Sequence, residues 1–329
     1  MINWNLEEKL LPLKYTWKIS RNESTAKTNF FIHIQEGQFR AIGETAPNVR
    51  YGDSTELIHN QFNNFLKTGA ANISTYEELV KLMNETVTSN ALKFGIESAF
   101  VHLRAKIQGK RIYEVLGLKK PENIFTSYTL PIMDVSEVGK FIKAHDLQRF
   151  KSLKIKVNAD NALDLVNEVA RHSDLPIRID ANECWKNVDE VLIFSKKIQN
   201  FNIEFLEQPL PYNFEDEYIY LKNSADLQLI ADESITDEGN YQQLSRQFHG
   251  INMKLMKAGG YYNGLKIIRE AQKFGMKTMV GCMIESSLGI SCGMHFCGEV
   301  DYVDLDGSFV IENEPFNLIK EKDGQLFYN

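Results

Sequence analysis

The chain has 329 residues, 44 acidic against 37 basic, and a formal net charge of -7, a balance that argues against nucleic acid or an anionic membrane surface as a partner. At 43% hydrophobic and 25% charged it has the makeup of a soluble globular protein. Its length exceeds one ordinary domain, so two domains, or one large barrel with an attachment, are expected.

In chain order, residues 14–19 and 29–34 (NFFIHI) read as strands, and EGQFR near 36–40 as a turn into a third. Helical patterns follow over 54–68, 75–90 and about 92–116, the last stopping at Gly117 with Pro121 just beyond. Residues 1–118 are therefore expected to form an α+β domain. From there the pattern alternates strand and helix. Candidate strands lie at 125–130, 152–157, 176–180, 203–207, 227–231, 250–254, 277–282 and 302–305, with amphipathic stretches such as 160–172 and 187–199 between them. Parallel neighbours need a crossover helix, so regular units of this kind imply a parallel sheet. Seven or eight of them, without the Gly-rich phosphate turn of an open doubly wound sheet, suggest an α/β fold of (β/α) TIM-barrel type over residues 119–308. The tail, 309–329, is expected to return to the first domain.

Four cysteines, Cys184, Cys282, Cys292 and Cys297, form neither a C-x-x-C pair nor a Cys/His zinc spacing, so a reduced, cytoplasmic compartment is the simplest reading. MINWNLEEKL carries no basic segment followed by an apolar one, so no signal peptide is expected. The most apolar region, 275–297, is interrupted by Lys277 and Glu285 and is too polar to span a membrane.

Charged residues at the ends of the apolar runs carry the chemistry. Lys156, Asp180, Glu207, Asp232 and Lys254 follow one another at steps of 24, 27, 25 and 22 residues. A charge at the end of a buried strand is costly without a partner. In a barrel, such ends form the catalytic face. Each acid alone is equally well a helix cap or an ion-pair partner, but three in register call for a divalent cation, and oxygen-only ligands favour Mg²⁺ over zinc. Lys154 and Lys156 point the same way along one strand, about 7 Å apart. Their repulsion, about 2.4 kcal/mol at an effective dielectric near 20, is expected to bring one of them towards the range of a general base. Lys254 lies on the sixth strand, opposite the second in a closed ring. Two bases facing one carbon from opposite sides are what stereochemical inversion requires, with the metal stabilising an enediolate between the two proton transfers.

Together the motifs Lys154-Ile155-Lys156, Asp180-Ala181-Asn182, Glu207-Gln208-Pro209, Asp232-Glu233-Ser234 and Lys254-Leu255-Met256-Lys257 resemble the enolase superfamily in its muconate-lactonizing-enzyme branch. The resemblance covers nearly the whole chain and makes the first domain a cap over the barrel. This superfamily is itself a standard instance of a Lys or His base paired with Mg²⁺ and an ene-diolate. Asp304-Leu305-Asp306 at the eighth strand resembles the pair with which dipeptide epimerases grip the substrate's α-ammonium group, although a turn or cap before Gly307 would look the same.

The resemblance implies that Lys156 and Lys254 are the acid/base pair and that Asp180, Glu207 and Asp232 bind Mg²⁺. It also implies that Lys154 aids the substrate carboxylate or tunes Lys156, and that Thr129, Cys282, Ile284, Asp304 and Asp306 contact a dipeptide. The reaction implied is epimerisation of the C-terminal residue, L-Ala-L-Xaa to L-Ala-D-Xaa. Xaa is left open. Arg21, in the first of two cap loops near 18–25 and 46–55, would pair with a glutamate side chain or stand as a solvated loop arginine, whereas Ile284 and Tyr51 suit a small apolar side chain. Cycloisomerisation and o-succinylbenzoate synthesis are the alternatives within the superfamily. Their substrates lack an ammonium group, which the two aspartates argue against. A metal-dependent binding protein without catalysis need not keep both lysines. One departure is visible: Val101-His102-Leu103 stands where relatives place an Asp before the Leu, and His102 is expected to be structural. A homo-oligomer is left open.

Overall fold

The structure, a computed structural model, describes all residues 1–329. Its first three strands, β1 (Asn3–Lys18), β2 (Glu23–Glu36) and β3 (Phe39–Thr45), form an antiparallel sheet in sequence order. β1 runs eleven residues further toward the N-terminus than the expected strand at 14–19. Its consecutive polar residues Glu7, Glu8 and Lys9 mask the alternation, and pairing with β2 (Asn3 opposite Gln35, Lys9 opposite Asn29) overrides them. Gly37, at φ +58°, makes the tight turn into β3.

Three helices cover the sheet: α1 (Thr55–Lys67), α2 (Tyr76–Thr86) and α3 (Asn90–Gln108). Ser54 and Ser89 cap the first and third through their side chains, and Thr75 with Glu78 forms a capping box on the second. The expected helix over 92–116 is in fact two pieces. α3 ends at Gly109, which adopts the left-handed conformation at φ +64°, and one further turn, Ile112–Val115, precedes Gly117. α3 lies so close on β3 that a Cβ on Gly43 would stand 2.1 Å from the Gly95 carbonyl oxygen.

Eight parallel strands follow, ordered around a barrel: β4 (Tyr128–Leu130), β5 (Leu153–Lys156), β6 (Ile177–Asp180), β7 (Ile203–Glu207), β8 (Leu229–Ala231), β9 (Gly250–Lys254), β10 (Lys277–Gly281) and β11 (Tyr302–Asp304). All lie within the segments expected from the sequence. The ring is nearly closed: backbone ladders join every neighbour except β11 and β4. That seam is bridged through side chains, with the Leu305 N–H donating to Thr126 Oγ1 at 2.8 Å, the Thr129 N–H to Asp306 at 2.6 Å, and Arg178 to the Val303 carbonyl at 2.7 Å.

The tail touches both parts. Ile311 bridges to Leu13 of β1 and Phe316 packs edge-on against Phe31, 4.9 Å between centroids. A hairpin, β12 (Ile319–Lys322) and β13 (Gln325–Tyr328), then packs on the barrel through the Phe125–Gln325 bridge and the Arg149–Glu321 ion pair. No helix is long and apolar enough to cross a membrane.

Because the atoms facing Gly43 are backbone, Gly43→Ala is expected to lower unfolding free energy by about 2 kcal/mol in urea titration. Gly298→Ala, with nothing within 4 Å of the new Cβ, is expected to change it little.

Candidate active site

Strand register explains why the charged residues meet. Lys156 is paired with Asp180, and Asp180 with Glu207, so three neighbouring strands end at one level, and Asp232 is the first residue beyond β8. The three carboxylates are buried, and their ligand oxygens all lie within 4.8 Å of one another. The residue after Glu207 shows how the next ligand is set. Gln208, at φ +40°, accepts from the backbone N–H groups of Asp232 (2.9 Å) and Ser234 (3.1 Å), while its amide donates to the Tyr218 hydroxyl at 2.9 Å. Gln208 thus orients Asp232 from the neighbouring strand.

The donor set fits a hard divalent cation. It is oxygen-only and water-poor, and burial followed by the charge of Asp180 pushes the Glu207 carboxyl up to about 7. Glu207 Oε1 accepts from Asn252 at 2.8 Å; Oε2 lies 2.8 Å from Lys154 Nζ but finds no aligned hydrogen-bond donor.

Lysines neutralise the cluster. Lys154 Nζ reaches Asp304 at 2.7 Å, Glu207 at 2.8 Å and Asp180 at 3.1 Å. Lys156 is paired with Asp180 and donates to Asn182 Oδ1 at 3.1 Å. Lys254 donates to Asp232 at 2.8 Å and the wholly buried Lys257 to the other oxygen of Asp232 at 2.5 Å. For Lys154 these pairings reverse the downward shift that repulsion from Lys156 would give. Burial works to lower the pKa of Lys154, but Asp304, Glu207 and Asp180 together raise it well above its ordinary value. Lys254 is likewise raised, burial being outweighed by Asp232. Two like charges on one strand repel, but carboxylates from three other strands surround Lys154.

Above the cluster opens a cavity of about 650 Å³ between barrel and N-terminal domain. Thr129, Lys154, Lys156, Asp232, Lys254, Cys282, Ile284, Asp304, Asp306 and Arg21 all line it. Asp180 and Glu207 lie beneath its surface, with no exposure of their own. On β11, Asp304 stands level with Gly281 and Lys254 and accepts from Ser127 Oγ at 2.7 Å. Burial and the charge of Asp304 push Asp306 up to about 7. Thr129 meets Asp306 through its backbone N–H at 2.6 Å.

Arg21 faces the cavity, but its guanidinium is engaged: it donates to Glu183 at 2.8 Å, to Glu233 at 2.7 Å and to the Asn182 carbonyl at 2.9 Å. His102 is a packing residue, bonded to the Ile42 carbonyl at 2.9 Å and the Tyr261 hydroxyl at 2.7 Å, with burial lowering it to about 4.

Sequence reading missed several residues from the N-terminal domain. Glu44 on β3 is buried and accepts from the Ser286 N–H (2.9 Å), the Ser286 hydroxyl (2.6 Å) and the Gly289 N–H (2.8 Å), all in the loop and helix after β10. Asn29 on β2 donates to Glu44 at 2.9 Å and to the Ile284 carbonyl at 3.1 Å. The available signal was a lone polar residue inside an apolar run, N-F-F-I-H-I and A-I-G-E-T. Glu285 faces the same point: its Oε2 and that of Glu44 lie 2.5 and 2.9 Å from the position a Cβ on Gly289 would take.

Comparison with known proteins agrees with this geometry. Residues 137–316 match the family described as Enolase C-terminal domain-like. The chain is 32% identical to the L-Ala-D/L-amino acid epimerase of Flavobacterium johnsoniae, covering 98% of this chain and 96% of that protein. Its fold superposes on a substrate-liganded complex of the L-Ala-D/L-Glu epimerase from Bacillus subtilis with TM-score 0.91 and 25% identity, over 99% and 96% of the two chains. An enolase family member from Agrobacterium tumefaciens with homology to dipeptide epimerases, holding sodium and L-Ala-L-Glu, gives TM-score 0.90 and 25% identity over 100% and 98%.

Two outcomes are expected. Mg²⁺ at about a hundred times its dissociation constant should stabilise the fold by about 2.7 kcal/mol, read as a rise in melting temperature, and Asp180→Asn or Glu207→Gln should lose that rise. The second concerns Glu285, which burial and then the charge of Glu44 push up to about 8. The folded state therefore holds its proton more tightly than the unfolded chain, whose glutamates titrate near about 4.3. Its contribution is complete below that value and is lost as pH rises towards 8. Glu285→Gln is expected to flatten the decline of stability over this window in pH-dependent urea unfolding.

Proposed function

We propose that this chain, which belongs to the Enolase C-terminal domain-like family, is an isomerase: a Mg²⁺-dependent dipeptide epimerase that inverts the Cα of the C-terminal residue, L-Ala-L-Xaa to L-Ala-D-Xaa. The observation that carries the reading is the placement of Lys156 and Lys254 on the second and sixth strands of one eight-stranded ring, both lining one cavity above the acidic triad.

Each residue group then has a place in the chemistry. Asp304 at the end of the eighth strand and Asp306 two residues beyond it would receive the α-ammonium group of the dipeptide in charge-assisted hydrogen bonds. Mg²⁺ held by Asp180, Glu207 and Asp232 would bind the substrate carboxylate, stabilise the charge that builds as the Cα proton leaves, and relieve those carboxylates of their hold on the two ammonium groups. Of Lys156 and Lys254, one would remove the Cα proton and the other deliver a proton to the opposite face, exchanging roles with the direction of reaction. Lys154, in contact with both the triad and Asp304, would position the substrate between its two anchored ends. Cys282 contributes a neutral thiol to the wall, its pKa raised by burial and then by Asp306. The loops carrying Arg21 and Arg50 overhang the cavity and keep water from the carbanion.

Lys156→Ala and Lys254→Ala are each expected to reduce epimerisation by about 10²- to 10⁴-fold. Each should retain exchange of the α-proton in the one stereoisomer whose proton faces the surviving lysine, followed in D₂O by mass spectrometry. Wild-type epimerisation in either variant would overturn the two-base assignment.

A further inference from the structure

Two loops of the N-terminal domain meet at one barrel carboxylate. Arg50 donates to Glu183 through Nε at 3.2 Å and Nη2 at 3.0 Å, while Arg21 donates to the same carboxylate at 2.8 Å and to Glu233 at 2.7 Å. Glu183 is buried, and both it and Asn182 adopt left-handed backbone, φ +65° and +43°. That conformation costs free energy in non-glycine residues and persists only where the surroundings impose it. The remaining cation on this side of the cavity, Lys27, donates to the Pro47 carbonyl at 2.5 Å and feels the charge of Asp53. Arg21 and Arg50 are thus already set against the carboxylates of Glu183 and Glu233, and Lys27 against the Pro47 carbonyl. Neither arginine is left over for a substrate.

The position of this cluster decides which part of a ligand it meets. Asn182 and Glu233 directly neighbour the triad, two residues from Asp180 and one from Asp232, so the arginines stand at the end of the cavity where the substrate carboxylate is held. Trp17 and Ile284, which also line the cavity, give it an apolar surface backed by a cluster of Leu11, Leu13, Val310 and Ile311.

Resting on the epimerase reading, we propose that the C-terminal residue of the substrate dipeptide carries an uncharged side chain, and that Glu183 is a positioning residue that latches both loops over it. An anionic side chain would have to draw Arg21 away from two buried carboxylates or come to rest beside them, and either course leaves uncompensated negative charge. An isosteric amide or a thioether makes neither demand.

The test is competitive solvent-deuterium incorporation by the full-length, Mg²⁺-loaded protein into L-Ala-L-Glu, L-Ala-L-Gln and L-Ala-L-Met, read as ratios of kcat/KM. The Gln and Met dipeptides are expected to exceed the Glu dipeptide at least about tenfold. Glu183→Gln, which releases arginine charge, should narrow that ratio by improving the Glu substrate. Preference for Glu over Gln in the unmodified protein would overturn the specificity inference alone, whatever the fate of the variant. Label in no dipeptide would overturn the epimerase reading and this inference with it.

Discussion

Five carboxylates, Asp180, Glu207, Asp232, Asp304 and Asp306, are gathered at one end of a barrel and shielded from water. Burying like charges at this density is unfavourable in any fold unless cations are interleaved among them. Here Lys154 and Lys156 from β5, Lys254 from the end of β9 and Lys257 from the helical turn after it are interleaved. These five acids and four lysines hold the top of the barrel together and line or underlie the cavity proposed as the active site. A divalent ion entering the triad would exchange one set of counter-charges for another, and on the proposed reading two of the four lysines it loosens, Lys156 and Lys254, are the acid/base pair.

That constraint is also why so much of the site could be read from the chain. A buried parallel strand is short and apolar, so a single charged residue at its end stands out, and regular crossover helices bring such ends to one level. Lys156 and Asp180 are register partners on runs of equal length, and a bulge at Glu204 brings the longer β7 level, so that Glu207 pairs with Asp180. Partnerships between distant segments left no local pattern. Glu183 meets Arg21 across 162 positions and Glu44 meets Ser286 across 242, and nothing in either segment names the other. The upward shift of Lys154 was hidden for the same reason, since its carboxylates come from β6, β7 and β11. In the N-terminal domain the errors were local: Gly109 stops a helix that composition alone would continue, and a polar stretch in β1 is carried by its neighbour's pairing.

The two parts of the molecule are joined where specificity would be set. Glu44 and Asn29 grip the segment after β10, and Asn29 does so at the carbonyl of Ile284, whose side chain faces the cavity. On the proposed reading, part of the wall against which a substrate side chain would rest, at Ile284, is thus placed by the N-terminal sheet although it belongs to the barrel. Domain packing and substrate choice share the same few hydrogen bonds, so changes on β2 or β3 act on the cavity without touching it.

The seam between β11 and β4 has a mechanical meaning. Where a backbone ladder joins two strands, their separation is held near about 4.8 Å. Where the join runs through Asp306, Thr126 and Arg178, it has side-chain torsions that turn between staggered positions. The ring is stiff around seven of its junctions and compliant at the eighth. On the proposed reading the compliant junction would lie at the amino end of the substrate, beside Asp304 and Asp306, and the stiff arc carries both lysines. Variation in the first residue of a dipeptide would then be absorbed as a small change in circumference, leaving the alignment of Lys156 and Lys254 across the ring unchanged.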